Sequence, residues 1–135
     1  MKPDQVTSIT HSFQQLLPTE DALAALFYAR LFALDPTLMP LFGTDMRAQG
    51  RKFTDMLRVI VAGLDEQHLL LGSLQEQGRQ HRAFGVRAEH YATVGAALLW
   101  AIEQMLQQRY TAEVAQAWSA LYLLVATTMQ EAAAS

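Results

Sequence analysis

Apolar residues recur three and four positions apart in every long segment of this chain of 135 residues. That spacing places them along one face of an α-helix, whereas a half-buried strand would alternate apolar and polar positions. Each helix of this kind must bury its apolar face against another element. The periodicity therefore predicts an all-α fold.

Prolines, glycines and helix-capping residues divide the chain into separate helices. Pro18 closes the first helix, and Thr19 is placed to cap the second. Asp45 or Thr44 is placed to cap the third. We predict helices over 4–17, 19–35, 45–64, a stretch that contains His81 and stops at Gly85, 88–106, and from 111 onward, with a short piece at 36–42. Six or seven helices with such short connections must cross one another rather than form a four-helix bundle.

The bulk composition narrows the range of functions. An apolar content of 51% is enough for one domain with a core that encloses a cofactor. The net charge of -3 gives no basic surface for nucleic acid or for an anionic membrane. The absence of cysteine excludes disulfides and thiolate metal sites, and it fits a cytoplasmic protein. No apolar run reaches the roughly 18 residues that span a bilayer, so we expect no membrane partner.

One histidine stands on the apolar face of a helix just before that helix stops. His81 continues the face marked by Leu70 and Leu74, so its imidazole points inward. Gly78, one turn earlier, has no side chain, which gives a flat group room against the helix, and Gly85 offers a stop. A buried imidazole needs a partner for each ring nitrogen, and iron with a hydrogen-bond acceptor would supply both. The alternative is a core histidine bonded to a carbonyl. Judged from this segment alone, that structural role is the favoured one.

Five short motifs follow one another along the chain in a specific order and spacing. They occupy residues 27–36 with 41–42, 49–53, 78–86, 91–95 and 117–122. Together they resemble the globin family, most closely single-domain bacterial globins, flavohaemoglobin haem domains and neuroglobins. The resemblance implies a globin fold without a D helix, a single globin domain over residues 1–135, and haem b as cofactor. It also reverses the preference for a structural role of His81.

The resemblance implies a role for each matching residue. His81 falls at the position of the proximal iron ligand, and Tyr28 and Gln49 fall at the two distal polar positions. Phe53 falls where an apolar side chain limits the room above the iron, and Phe42 where a phenylalanine wedges against the porphyrin. The further cofactor-binding candidates are Lys52, Leu57, Val86, Tyr91, Val94 and Leu98. Of these, Lys52 is the first candidate partner for a haem propionate, and Arg51 and Arg82 are less secure candidates for the same role. For all three, the alternative is a charged side chain on a solvated helix face.

Tyr91 matches a tyrosine that flavohaemoglobins place near the proximal histidine, in a triad completed by a glutamate. The position of that glutamate falls on Ala133 here, and the nearest acid, Glu131, lies about 200° away around the helix. Without the carboxylate, the imidazole pushes less electron density onto the iron. The departure favours reversible ligand binding over cleavage of an oxygen–oxygen bond.

The two distal residues are hydrogen-bond donors of the kind that stabilise a partly negative ligand. Each hydrogen bond of about 1 to 3 kcal/mol slows ligand release roughly tenfold to a hundredfold. We expect Tyr28 to be the stronger donor, because a ring on a packed helix loses less freedom than a glutamine. The alternatives are a core phenol bonded to a backbone carbonyl for Tyr28 and a solvated amide for Gln49. Coordination of ferric iron by Tyr28 or Lys52 is a minor further alternative.

The function that the resemblance implies first is reversible binding of oxygen, and also of nitric oxide and carbon monoxide, by a monomer or homodimer. The enzymatic alternative is a nitric oxide dioxygenase that works with a separate reductase, because the chain has no segment for flavin or nicotinamide. The remaining alternatives are a haem-based gas sensor and a globin-fold interaction module without haem. The presence of both His81 and Phe42 argues against the haem-free module.

Overall fold

Six α-helices account for most of the computed structural model, which describes residues 1–134. They are α1 (Pro3–Leu16), α2 (Glu20–Leu34), α3 (Met46–Ala62), α4 (Gln67–Ala83), α5 (Ala88–Leu106) and α6 (Ala112–Ala133). Short 3₁₀ turns stand at Leu17–Thr19, Pro36–Leu41, Gly63–Asp65 and Gln107–Arg109. The described residues contain no strand. The all-α prediction is confirmed, and so are the predicted helices, to within two residues.

Two of the predicted helix starts are stabilised by side-chain caps. The Asp45 carboxylate accepts a hydrogen bond from the backbone N–H of Ala48 at 3.1 Å. The Thr111 hydroxyl accepts one from the N–H of Val114 at 3.2 Å. Both bonds satisfy a backbone donor that the first turn of a helix leaves unpaired.

Thr19 stands at the expected position before α2, but its side chain does not cap that helix. Its hydroxyl donates back to the carbonyl of Leu16 at 3.4 Å instead. The preceding 3₁₀ turn explains the difference, because it brings a carbonyl from the end of α1 within reach of the hydroxyl. The prediction that Thr19 caps α2 is therefore wrong, although the helix starts where expected.

The connection between α2 and α3 contains no α-helix, as the absence of a D helix requires. The Asp35 carboxylate accepts the N–H of Thr37 at 3.0 Å and so fixes the start of the 3₁₀ turn. Residues 42–45 then lead directly into α3. This short route keeps the start of α3 close to α2, which places polar residues of both helices in the same cavity.

Two glycines allow close crossings with α6. A Cβ on Gly78 of α4 would stand 2.2 Å from the carbonyl oxygen of Met129, and a Cβ on Gly95 of α5 would stand 2.5 Å from the ring of Tyr122. No L side chain fits at either distance. The space beside Gly78 is therefore filled by the backbone of α6, and the prediction that a flat group lies against this glycine is wrong.

The core between these helices is apolar, and the buried polar atoms of Trp118 and Ser12 are paired. Trp118 is fully buried and its indole N–H donates to the hydroxyl of Ser12 at 2.9 Å, which ties α6 to α1. The Ser12 hydroxyl in turn donates to the carbonyl of Ser8 at 2.7 Å. Over residues 1–134, no helix combines the length and the apolar character that crossing a membrane would require.

Candidate haem cavity

A cavity of about 710 Å³ lies between α2 and α3 on one side and α4, α5 and α6 on the other. Its size falls within the range of small-molecule and cofactor sites, and its walls are mainly apolar. All eleven site residues predicted from the sequence line it: Tyr28, Phe42, Gln49, Lys52, Phe53, Leu57, His81, Val86, Tyr91, Val94 and Leu98. Four helices and the connections that hold Phe42 and Val86 thus bring together residues that lie up to 70 positions apart.

His81 is half-buried near the end of α4, and its side chain lines the cavity. Burial lowers the pKa of His81, which favours the neutral imidazole that binds metals. None of the hydrogen bonds and ion pairs formed within residues 1–134 involves its ring. A half-buried imidazole without an internal partner, facing an apolar cavity, suits a metal carried by a flat apolar group.

The other three histidines lie elsewhere. His11 and His68 are exposed. His90 is buried at the start of α5, where its Nδ1 accepts the backbone N–H of Arg87 at 3.0 Å. None of the three lines the cavity, so among the described residues His81 is the histidine placed to bind a metal there.

The turn after His81 is fixed by backbone hydrogen bonds. Gly85 adopts a φ of +92°, the left-handed region that glycine tolerates best. The N–H of Val86 donates to the carbonyl of His81 at 2.9 Å, and the N–H of Gly85 donates to that of Arg82 at 3.0 Å. This arrangement ends α4 as the sequence predicts and turns Val86 into the cavity wall.

Tyr28 of α2 sits within a cluster of four phenylalanine rings. The centroid of its ring lies 4.9 Å from that of Phe27, 5.4 Å from Phe42, 5.9 Å from Phe32 and 6.0 Å from Phe53. Burial raises the pKa of Tyr28 to about 12, so the phenol is neutral at physiological pH. Its hydroxyl donates to the backbone carbonyl of Gln49 at 3.2 Å. Tyr28 therefore makes the bond that the sequence analysis gives as its alternative role, that of a core phenol bonded to a backbone carbonyl.

Gln49 lies in the first turn of α3, after the Asp45 cap. Its backbone N–H donates to the carbonyl of Asp45 at 3.1 Å, which fixes the main chain. Gln49 lines the cavity, and its side-chain amide makes no hydrogen bond to any described residue. The amide nitrogen lies next to Gly43, 3.3 Å from where a Cβ on that glycine would stand. The amide is therefore available to a ligand inside the cavity.

Phe53 is held in place by a second ring. It stacks on Phe27 with a centroid distance of 4.2 Å and an angle of 9° between the ring planes. Because Phe27 belongs to α2 and is buried, the position of Phe53 is set by packing rather than by its own rotamer freedom. The room beside Gln49 is correspondingly fixed.

The basic residues near the cavity differ in position. Lys52 lines it, while Arg51 does not. The Arg82 guanidinium donates to the carbonyl of Ala133 at the end of α6 and lines a separate, smaller depression. Of the three cations considered from the sequence, Lys52 alone lies where a propionate at this cavity would need it. Arg82 does not line this cavity, since its side chain contacts the end of α6 instead.

Two tyrosines lie on the side of the cavity formed by α5 and α6, and among the described residues no acid of these two helices lines it. Tyr91 lines the cavity, and its hydroxyl makes no hydrogen bond within residues 1–134. Tyr122 packs over Gly95 and donates to the backbone carbonyl of Tyr91 at 2.5 Å. Glu131 is exposed and does not line the cavity. This arrangement agrees with the sequence, which has Ala133 where the flavohaemoglobin triad has its glutamate.

The sequence reasoning missed much of the wall that α6 provides. Trp118, Leu121, Val125 and Met129 line the cavity, although none of them is among the site residues that the resemblance implies. Tyr122, Phe27 and the exposed Phe84 also line it. The signal was present, since the face of α6 that packs into the core is the same face that borders the cavity. Periodicity alone does not separate the two.

Comparison with known proteins identifies the family. The globin family model matches residues 25–129, which is more than half of the chain. This chain is a globin. Neuroglobin of Tetraodon nigroviridis is 36% identical over 118 residues, covering 77% of this chain and 74% of that protein. A flavohemoprotein of Bordetella pertussis is 33% identical over 105 residues, covering 76% of this globin but only 26% of the flavohemoprotein.

Solved structures confirm the fold. A hexacoordinated heme protein from an anhydrobiotic tardigrade matches 100% of this globin and 96% of its own chain with a TM-score of 0.90 at 15% identity. A bacterial globin from Campylobacter jejuni covers 98% of this globin and 96% of its own chain, with a TM-score of 0.84 at 20% identity. At these identities the likeness concerns the fold, which is the globin fold predicted from the sequence.

Proposed function

We propose that this globin binds haem b in the cavity and binds oxygen reversibly, with His81 as the proximal ligand. The observation that carries the proposal is the half-buried His81 imidazole, which has no hydrogen-bond partner within residues 1–134 and faces a cavity of about 710 Å³. The neuroglobin and flavohemoprotein relatives support the choice of haem. Bound ferrous haem supplies the metal and transfers electron density to a diatomic ligand.

The other residues that line the cavity have separate roles in binding haem and its ligand. Phe42 and Phe53 exclude water through packed rings, and Lys52 is available for a propionate. Tyr28 and Gln49 supply polarity on the distal side, where a partly negative ligand accepts hydrogen bonds. The same site binds nitric oxide and carbon monoxide as well as oxygen. We place the protein in the cytoplasm, since a chain without cysteine has no disulfide that would require an oxidising compartment.

Oxygen equilibrium measurements test this function. Reduced, haem-loaded protein should bind oxygen with a saturable curve and return to the starting absorption spectrum when oxygen is removed. Oxidation to the ferric form during each cycle, with no recoverable oxygen complex, would contradict reversible binding. A protein that takes up no haem would contradict the proposal as a whole.

A second candidate function is nitric oxide dioxygenation, which the similarity to a flavohemoprotein specifically favours. In this reaction nitric oxide, oxygen and one electron give nitrate, so each turnover requires reduction of the ferric form. We expect the purified protein to convert about one equivalent of nitric oxide per haem and then stop, even with NADH, until a flavin reductase is added. Many nitrate ions per haem without a reductase would show a route for electron entry within this chain.

A further inference from the structure

The single proton of the Tyr28 hydroxyl is engaged by the main chain of α3. The hydroxyl donates to the carbonyl of Gln49 at 3.2 Å, and a phenol has no second proton to offer. Burial raises the pKa of Tyr28 to about 12, so deprotonation does not release the bond near neutral pH. A ligand in the cavity gains a bond from Tyr28 only if the Gln49 carbonyl loses one. The net free energy that Tyr28 contributes to ligand binding is therefore only the difference between two hydrogen bonds.

The phenol cannot easily turn toward another acceptor. Its ring touches rings from three directions: Phe32 and Phe27 of α2, Phe42 after the 3₁₀ turn, and Phe53 of α3. Phe53 is itself stacked on Phe27. Moving the hydroxyl oxygen toward another acceptor therefore requires several packed rings to move together, which close packing opposes. Rotation about the C–O bond redirects the proton alone, and it breaks the bond to the Gln49 carbonyl.

The Gln49 amide is in the opposite situation. Gln49 lines the cavity and its amide has no hydrogen-bond partner among residues 1–134, so a bond to a ligand replaces no internal bond. Its backbone is held at two points, by the N–H bond to the Asp45 carbonyl and by the Tyr28 hydroxyl on its own carbonyl. A glutamine with a fixed backbone loses less freedom when its amide orders against a ligand.

We propose that Tyr28 is a positioning residue, which holds the main chain of Gln49 so that the Gln49 amide is the donor to the ligand. This inference rests on the proposed function, because it concerns oxygen at the haem of the same cavity. It reverses the order of donor strength expected from the sequence. The influence of Tyr28 on oxygen release then passes through Gln49 and depends on the amide being present.

A double-mutant cycle on oxygen release separates positioning from direct donation. In haem-loaded protein, Gln49→Leu should speed oxygen dissociation roughly tenfold or more, and Tyr28→Phe by a smaller factor. Adding Tyr28→Phe to Gln49→Leu should change the rate by less than about twofold, since the residue through which it acts is gone. If Tyr28→Phe speeds release equally in both backgrounds, or more than Gln49→Leu does, Tyr28 donates directly and the proposal is wrong.

Amide hydrogen exchange on the haem-free protein provides a readout that ligand binding does not affect. The Gln49 carbonyl is the helical acceptor for the N–H of Phe53, so Tyr28→Phe should raise exchange at Phe53 and its neighbours in α3 by about fivefold. Tyr122→Phe is the matched control, because its phenol also donates to a helical carbonyl, that of Tyr91. The control should raise exchange in α5 and leave α3 unchanged.

Unchanged exchange in α3 of Tyr28→Phe would overturn the positioning role. Because this measurement needs no haem, its result is independent of whether the proposed function holds. Failure to bind haem or oxygen would refute the proposed function, whereas failure of the exchange difference or of the cycle refutes the role of Tyr28.

Discussion

Replacement of Gly78 by alanine tests the crossing that holds the helix of His81. A Cβ at this position would stand 2.2 Å from the carbonyl oxygen, 2.7 Å from the Cα and 2.8 Å from the carbonyl carbon of Met129. All three atoms are backbone, so no rotamer change relieves the overlap. Ordinary contact requires about 3.5 Å, and α4 must therefore move away from α6 by about 1 Å.

The size of the effect follows from two opposing terms. Overpacking of a core typically costs about 1 to 3 kcal/mol, with larger costs where backbone must shift, while alanine gains up to about 1 kcal/mol over glycine in a helix. We expect Gly78→Ala to lower the free energy of unfolding by about 2 kcal/mol or more. Since His81 lies one turn further along α4, the affinity for haem should fall as well.

Gly72→Ala is the matched control on the same helix. A Cβ there meets nothing within 4 Å, so only the helix propensity acts and the free energy of unfolding should rise by about 0.5 to 1 kcal/mol. Urea unfolding of the three proteins in the same haem state, followed by circular dichroism, measures both changes. Equal stabilisation by both substitutions would refute the close approach of α4 and α6.

Two further predictions concern helix caps and pH. Thr111→Ala should lower the free energy of unfolding by about 1 kcal/mol, because it removes the bond to the N–H of Val114. Thr19→Ala should change the free energy of unfolding much less, because the Thr19 side chain does not cap α2. Equal shifts of the urea midpoint in the two variants would contradict the cap assignments. Burial raises the pKa of Tyr28 from 10.0 to about 12, so the unfolded chain loses this proton first and the free energy of unfolding should fall as pH rises from 10 toward 12. Tyr28→Phe should show a shallower fall over that interval, and an identical slope in both proteins would contradict a buried, neutral phenol.

The sequence predicts the helices of this protein well because the signals that set them are local. Pro18, Gly85 and the caps at Asp45 and Thr111 act within a few residues, and each ends or starts a helix where expected. The composition of the cavity was also predictable, since all eleven site residues line it. Their proposed roles, however, came from the resemblance to a family and not from the periodicity.

The features that the sequence could not predict depend on distant partners. Gly78 faces the backbone of Met129, which lies 51 positions away along the chain, so nothing near Gly78 indicates that its free side is filled. The Tyr28 hydroxyl could reach a ligand or a carbonyl, and only the packing of α2 against α3 decides for the carbonyl of Gln49. Thr19 had two acceptable hydrogen bonds, and the local 3₁₀ turn selects the one that does not cap α2.

Haem titration of a His81 variant tests the central claim most directly. Absorption spectra should show that the wild-type protein takes up one haem with a histidine-ligated ferrous spectrum, and that His81→Ala does so only when imidazole is added to replace the missing ligand. The control is His68→Ala, which removes an exposed histidine from the same helix and should leave the spectrum unchanged. A normal histidine-ligated ferrous spectrum in His81→Ala without imidazole would contradict the account.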